Sequence, residues 1–307
     1  LLGPELEKRG VEPGLAAALV AAGGTVGVII PPSVMFLIYA VTVDVSSVDL
    51  FVGGIVPGIM MVFVLVLMAV IYTRKTEPSA GLKSFSPVLI IGNAVKAWLG
   101  FVAIAIILFG IYWGYFSPTE AAGVVTLYCM LAGVFISREL KFQAIPKILM
   151  QSASLTGLIV PLVVFSVQFQ QVASVMGLPQ LLQDSITAIG ANYGEAVSII
   201  LMMLIILMVG AITESTAVVL ILGPILAPIA DFFNIDPIHW GVVFVIGTTI
   251  GFVTPPYGLN LFVVSGVMNV PYPSVMRNIL KLLIPLFFLW GFITFSPWTV
   301  TMLLPNS

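Results

Sequence analysis

Long charge-free windows dominate the chain. They run Gly14–Val43, Leu50–Thr73, Ala97–Thr119, Ala121–Ser137, Ile148–Gln183, Ala196–Thr213, Ser215–Ala230, Pro237–Met276 and Leu282–Ser307. A membrane-spanning helix needs about 20 apolar residues. The windows starting at 50, 97, 121 and 282 therefore predict single spans. Those starting at 14, 148 and 237 are too long for one straight helix and carry Gly and Pro inside. The windows at 196 and 215 are short and separated only by "TES".

The polar positions between the windows are sorted by charge. Lys and Arg fall in Lys8–Arg9, Arg74–Lys83, Arg138–Lys147 and Arg277–Lys281, whereas Asp44–Asp49, Tyr112–Thr119, Gly177–Glu195 and Asp231–Asp236 have none. Basic loops mark the cytoplasmic side. On that rule Gly14–Val43 runs outward, Leu50–Thr73 inward, Ala97–Thr119 outward, Ala121–Ser137 inward and Ile148–Met176 outward. Both Gly177–Glu195 and Asp231–Asp236 then lie outside. Ala196–Ala230 satisfies this by entering from outside, turning near "AITES" and returning as a re-entrant hairpin. Lys96, at the edge of a span, reads as snorkelling to the interface.

Two of the long windows repeat each other. "GGTVGVIIPPS" (Gly23–Ser33) is echoed by "TTIGFVTPPYG" (Thr248–Gly258) at a shift of 224 residues, which pairs Thr25 with Thr249, Gly27 with Gly251, Pro31 with Pro255 and Pro32 with Pro256. The same shift pairs "VEP" (Val11–Pro13) with "IDP" (Ile235–Pro237), and "LLGP" (Leu1–Pro4) matches "ILGP" (Ile221–Pro224) with a small gap. Gly weakens a helix interior, and Pro removes a backbone donor. Each window is thus a broken helix, and the charge rule runs the two copies in opposite directions. Interrupted apolar segments at matching places in two halves point to a transporter site near the bilayer midplane. By the same repeat, the tip and entering limb of a first hairpin are expected to precede Leu1.

Composition settles the class. The chain of 307 residues is 60% hydrophobic and 8% charged, with a mean hydropathy of +1.19. A soluble domain carries about a quarter charged residues, so this is an integral membrane protein. The net charge of −2 gives no reason to expect a nucleic-acid partner. Cys129, the one cysteine, reads as a small packing residue. His239 is the one histidine, too few for a metal cluster or a hydrolytic triad.

A broken helix exposes carbonyls at the end of its first half and N–H groups at the start of its second. Carbonyls coordinate Na⁺, and half-helix N-termini suit anionic substrates. Oxygen-bearing side chains gather there: Thr25 and Ser33 at the first break, and Thr248, Thr249, Thr254 and Asn260 at the second. Thr213, Glu214, Ser215 and Thr216 stand at the hairpin tip. This predicts ion binding across the breaks and the tip, with Ser33, Glu214, Thr216, Thr254 and Asn260 as candidate substrate contacts. The competing reading is that hydroxyls serve their own backbone and that Glu214 caps the returning limb. Glu120, after "SPT", reads as a capping acid. "QFQQ" (Gln168–Gln171), polar within a span, reads as bonding to neighbouring helices, with lining of a pathway as the competing reading.

The stretches "ELEKRGVEPGLAAALVAAGGTVGVIIPPSVMFLIYAVT", "YFSPTEAAGVVTLY", "GAITESTAVVLILGPILAPIA", "TTIGFVTPPYGLNLFVVSG" and the ending "FSPWTVTMLLP" resemble the large membrane subunit of tripartite ATP-independent periplasmic (TRAP) transporters. The resemblance covers essentially the whole chain. It implies an all-α polytopic fold with inverted repeats, re-entrant hairpins and broken helices. It also implies an elevator mechanism, and import of an organic acid such as a C4-dicarboxylate or sialic acid coupled to Na⁺, with no organic cofactor. The implied partners are a periplasmic binding protein and a small membrane subunit, in a bacterial or archaeal inner membrane, with the C-terminus periplasmic.

On that resemblance Gly24, Thr25, Gly27, Pro31 and Pro32 form one ion site, incomplete without the upstream hairpin. Thr213, Ser215, Thr248, Thr249, Gly251, Pro255 and Pro256 form the other. The organisation expected is a first-repeat transport segment (1–43), scaffold helices (44–147), a long arm with an external connection (148–194), the hairpin (195–233), the second broken helix (234–268) and a C-terminal scaffold helix (269–307). Two other readings compete: an elevator-type anion transporter working without a binding protein, and a non-transporting scaffold subunit. An intramembrane enzyme has no ligand spacing to support it.

Overall fold

A computed structural model describes residues 2–74 and 97–304. Among the described residues every regular element is a helix. Lys96 and the basic stretch 75–83 lie outside them. The chain divides into two compact units, 1–81 with 165–307 and 82–164.

The larger unit begins with α1 (Leu2–Lys8), α2 (Pro13–Ile29), α3 (Val34–Val43) and α4 (Ser47–Thr73). α2 and α3 are the two limbs of the first broken helix, bent by 47° at "IPPS". Ser33 starts the second limb by accepting from the Phe36 N–H at 3.2 Å. α4 lies along this break on a face of small residues. A Cβ on its Gly54 would stand 2.5 Å from the Phe36 ring and 3.2 Å from the Ile29 carbonyl oxygen. Small residues are what allow membrane helices to approach this closely.

The unit resumes at Phe165 and continues with α8 (Leu178–Tyr193), the hairpin limbs α9 (Glu195–Ile212) and α10 (Ser215–Phe232), then α11 (Pro237–Gly251), α12 (Leu259–Met268), α13 (Tyr272–Thr294) and the short α14 (Trp298–Thr301). α11 and α12 are the limbs of the second broken helix. Every residue of α11 from His239 to Gly251 is buried. A helix apolar all round belongs inside, and this one forms the centre of the unit. α13 holds it there: the Trp290 indole N–H donates to the Val243 carbonyl at 2.9 Å. The ring Nε2 of His239 lies 3.0 Å from the Ile293 carbonyl.

The smaller unit contains α5 (Trp98–Tyr112), α6 (Pro118–Leu131), a π-helical extension (Ala132–Ile136) and the first part of α7 (Ile145–Val175). The Tyr128 hydroxyl on α6 donates to the Leu99 carbonyl on α5 at 3.1 Å. Glu120 is the capping acid expected. Its carboxylate accepts from the Ser117 N–H and hydroxyl, both at 2.8 Å, while its own N–H donates to Ser117 Oγ at 3.3 Å.

Several expectations need correction. The window beginning at Ile148 is divided at its end and not at its internal proline: α7 runs 31 residues through Pro161 to Val175, and α8 starts inside the same window after Gly177, at φ 73°. Much of Gly177–Glu195 is the helix α8 rather than a loop. Arg277 and Lys281 lie within α13, where Lys281 donates to Asn278 Oδ1 at 2.9 Å, so the last long helix starts at Tyr272. α5 is 15 residues long, shorter than its window. Cys129 is exposed on α6 rather than packed inside. Gln168 and Gln171 are exposed on α7.

Five of the described helices are long and apolar enough to cross a membrane, or six if the bent pair α2–α3 is one span. Both hairpin limbs are among the five. The re-entrant reading therefore rests on the distribution of Lys and Arg, not on limb length.

The two broken helices share more than letters. Gly10 and Asn234, one repeat apart, both adopt positive φ, at 81° and 54°. Val11 N–H donates to Leu6 O and Ile235 N–H to Ala230 O, each at 3.1 Å. Gly10 N–H meets Glu7 O at 2.9 Å, and Asn234 N–H meets Asp231 O at 2.8 Å. The Pro31–Pro32 and Pro255–Pro256 peptide bonds are both cis. Beyond the breaks the register slips by one residue. The helix-ending left-handed residues are Asp44 and Asn269.

Candidate functional site

The second break is roofed by the hairpin tip. α9 ends at Ile212, and Thr213 and Glu214 make the turn into α10. The backbone just before this turn touches the end of α11. A Cβ on Gly251 would stand 2.8 and 2.9 Å from the carbonyl carbon and Cα of Gly210, a distance real Cβ atoms do not tolerate against backbone. Glycine is thus required by close approach. Farther along the break, the Gly258 N–H donates to the Ala211 carbonyl at 3.3 Å. These contacts bring Thr248 and Gly251 against the end of the limb that leads into Thr213 and Ser215.

The hydroxyls of Thr25, Thr213, Thr248, Thr249 and Thr254 all donate back to a carbonyl of the preceding turn. Thr25 donates to Ala22 O at 2.7 Å and its repeat partner Thr249 to Ile246 O at 2.9 Å, the same bond one repeat apart. Thr248 donates to Val245 O at 2.8 Å, Thr254 to Ile250 O at 2.7 Å, and Thr213 to Val209 O. A hydroxyl has one hydrogen and two lone pairs. With the hydrogen committed to the helix, each oxygen is left an acceptor. Thr25, Thr248, Thr249, Ser215 and Thr216 are buried, while Thr213 is exposed. Buried acceptor oxygens at a helix break suit a small hard cation.

Glu214 occupies the N-terminus of α10. Its Oε2 accepts from the N–H groups of Thr216 at 2.8 Å and Ala217 at 3.3 Å, and Oε1 accepts from the Thr216 hydroxyl at 3.0 Å. This is the helix cap expected as the competing reading. The donors that could greet an anion at this end are filled by the protein's own carboxylate. Ser33 likewise serves as a cap for α3.

The two breaks are joined by Asn260. Its amide donates to the Ala21 carbonyl on α2 at 3.0 Å and lies 3.1 Å from where a Gly24 Cβ would be. Its own N–H donates to Phe252 O at 3.3 Å, supplying a donor that the prolines cannot. Gly27 and Gly23, by contrast, have nothing within 4 Å of an added Cβ among the described residues. Pro31 is buried and Pro255 half-buried, and no hydrogen bond ties either to the tip.

Tyr272 at the start of α13 was not anticipated from the sequence. Its hydroxyl lies 2.6 Å from the Pro256 carbonyl and 2.9 Å from that of Tyr257, and its ring stacks on Phe262 at 4.2 Å. It fixes the loop of the second break from 15 residues downstream, and no local pattern signals that. Among the described residues no group of His, Cys, Asp and Glu could hold a metal ion.

Residues 1–299 match the family model described as "Tripartite ATP-independent periplasmic transporter, DctM component". The chain is 33% identical to the C4-dicarboxylate TRAP transporter large permease protein DctM of Pseudomonas aeruginosa, over 97% of this chain and 69% of that protein. It is 34% identical to the sialic acid TRAP transporter large permease protein SiaM of Vibrio cholerae, over 95% and 67%. A third relative, the isethionate TRAP transporter permease protein DctMQ of Oleidesulfovibrio alaskensis, is 31% identical over 91% of this chain and 44% of its own length. A multi-pass helical membrane protein with this match over nearly its whole length belongs to the TRAP transporter large permease (DctM) family.

Proposed function

We propose that this permease imports an organic acid across a bacterial or archaeal inner membrane by Na⁺-coupled secondary transport. A periplasmic binding protein delivers the acid, and a small membrane subunit completes the assembly. The observation that carries the reading is the hairpin tip seated backbone-to-backbone on a helix break lined by acceptor-only threonines. Such a pocket strips water from a small cation and replaces it with fixed oxygens, while the tip itself can lift or close.

In this reading Thr213, Ser215, Thr248, Thr249, Gly251 and Pro255 surround one Na⁺, and Gly24, Thr25, Gly27 and Pro31 contribute to a second. Ser33, Glu214, Thr216, Thr254 and Asn260 face the carboxylate substrate, and Glu214 yields α10's N–H groups when the substrate arrives. The recurrence of turns, caps and the threonine bond at a fixed shift supports two copies of one unit. The charge rule supports their opposite orientation in the membrane, the arrangement of elevator transporters. Substrate class follows the relatives, whose names include C4-dicarboxylate, sialic acid and isethionate.

Uptake of labelled candidate acids into proteoliposomes tests this, with and without a Na⁺ gradient and the binding protein. Uptake is expected only when both are supplied. Accumulation that persists after Na⁺ is removed overturns the coupling.

A further inference from the structure

The peptide between Tyr257 and Gly258 is hydrogen-bonded at both ends, to elements far apart in the chain. Its carbonyl lies 2.9 Å from the Tyr272 hydroxyl at the start of α13. Its N–H donates to the Ala211 carbonyl, at the end of α9, at 3.3 Å. A trans peptide unit is a rigid plane whose C=O and N–H point opposite ways. The Tyr257–Gly258 bond is trans, so this plane spans the gap between α13 and the hairpin. Tilting it far enough to break one bond breaks the other. Hydrogen bonds linked in this way also polarise one another.

Each participant is fixed by its surroundings. The Ala211 carbonyl is among the last four of α9, which have no partner within their own helix. Gly258 stands before α12 at φ 50°, a left-handed backbone that favours glycine. The Tyr272 ring stacks on Phe262 of α12 at 4.2 Å, with the planes 12° apart. Its hydroxyl also lies 2.6 Å from the Pro256 carbonyl. One hydrogen serves both carbonyls, so two consecutive peptides are held from the same side.

Near the tip, the limb rests on the break through the packing of Gly210 on Gly251 and through the Gly258–Ala211 bond. The first depends on shape alone. The second has a donor that Tyr272 holds in place. Ala211 lies just ahead of Thr213 and Glu214, the turn into α10. Arg277 follows Tyr272 within α13, so on the charge rule the tip is tied from the cytoplasmic side, opposite the side from which the hairpin enters. We propose that Tyr272 is a positioning residue for the hairpin tip: through the Tyr257–Gly258 peptide, its hydroxyl keeps the tip seated on the second break. The inference rests on the Na⁺-coupled reading only for its consequence, that a seated tip completes the ion site.

Tyr272→Phe keeps the ring on Phe262 and deletes only the hydroxyl. Hydrogen exchange of the purified permease in detergent, read by mass spectrometry without Na⁺ or substrate, follows the tip (210–217) and the Gly258 amide. Both are expected to exchange roughly fivefold faster than in the parent, the scale of one net hydrogen bond, while α5 and α6 keep the parent's rates. Asp236→Ala is the control, because it removes a cap at the far end of α11. It is expected to leave exchange at the tip unchanged. Unchanged tip exchange in Tyr272→Phe overturns the proposal, as does equal acceleration in Asp236→Ala.

A second measurement follows uptake by the assembled transporter in proteoliposomes, with the binding protein. Tyr272→Phe is expected to raise the half-saturating Na⁺ concentration about three- to fivefold and to change the maximal rate by less than about twofold. A maximal rate that falls while Na⁺ half-saturation stays constant overturns the positioning role. Faster tip exchange in a permease whose uptake ignores Na⁺ supports the Tyr272 tie and overturns the coupling alone.

Discussion

The two helix breaks share a backbone plan and differ in what covers them. At the second, α11 ends against the backbone of Gly210, and the tip, Asn260 and Tyr272 enclose the loop. At the first, Gly23 and Gly27 face open space among the described residues, and only Asn260 reaches across. The first break is closed mainly from the other side, by the glycine face of α4. Asp236 caps α11 by accepting from the His239 N–H at 2.8 Å, whereas its counterpart Glu12 makes no such cap and lies 3.9 Å from Arg277. A shared plan therefore does not mean a shared energy. Side chains conserved between the copies can be indispensable in one and idle in the other.

The sharpest way to break this comparison is a matched pair of methyl groups. Gly251→Ala forces a Cβ into the Gly210 backbone and is expected to cost about 1–3 kcal/mol, as overpacking of a tight core does. Gly27→Ala meets nothing and should be neutral or gain roughly 0.5–1 kcal/mol from helix propensity. Thermal unfolding of the purified variants in detergent measures both. If Gly27→Ala proves as damaging as Gly251→Ala, something outside the described residues covers the first break as the tip covers the second.

Next in size are the threonines. Thr249→Val removes an acceptor oxygen and keeps the branched shape of the side chain. It should raise the half-saturating Na⁺ concentration roughly tenfold, equivalent to about 1.4 kcal/mol. Thr249→Ser keeps the oxygen and should stay close to the parent. Thr25→Val, on the uncovered break, should shift Na⁺ activation less. Equal Na⁺ activation in all three would reduce these hydroxyls to backbone service.

Two smaller effects refine the contrast. Asn260→Ala removes the one amide that joins the breaks and should destabilise by about 1 kcal/mol, the usual net worth of such a bond. Asp236→Ala removes a helix cap and should cost a similar ~1 kcal/mol, whereas Glu12→Ala should stay within a few tenths, as expected of an exposed pair. Chemical denaturation of the four proteins side by side would show whether the caps differ as their geometry does.

How much of this could be read in advance depended on the kind of signal. Punctuation was legible. The paired prolines marked both breaks, "TES" marked the turn, and "SPTE" marked a capping box, because each changes the backbone's own hydrogen-bonding options. Faces were not. α11 is apolar nearly throughout, so periodicity could not say that it is buried on all sides, and Pro161 gave no sign that α7 continues past it. Within membranes, neighbouring groups re-satisfy the backbone that a proline frees. α8 escaped notice because a charge count treats everything between two spans as a loop. Partnerships across the chain were invisible too: nothing near Asn260 names Ala21, and nothing near Pro256 names Tyr272.

The left-handed residues that close α1 and α10 carry a further consequence. Gly10 and Asn234 differ in chemistry, yet each reverses the chain and is followed by the same pair of backbone bonds. Substitution can rewrite letters while the sites of chain reversal stay put, because moving one would re-aim every helix downstream. Alignments of such halves could therefore be scored by where the chain turns left-handed, a sparse punctuation that outlasts residue identity.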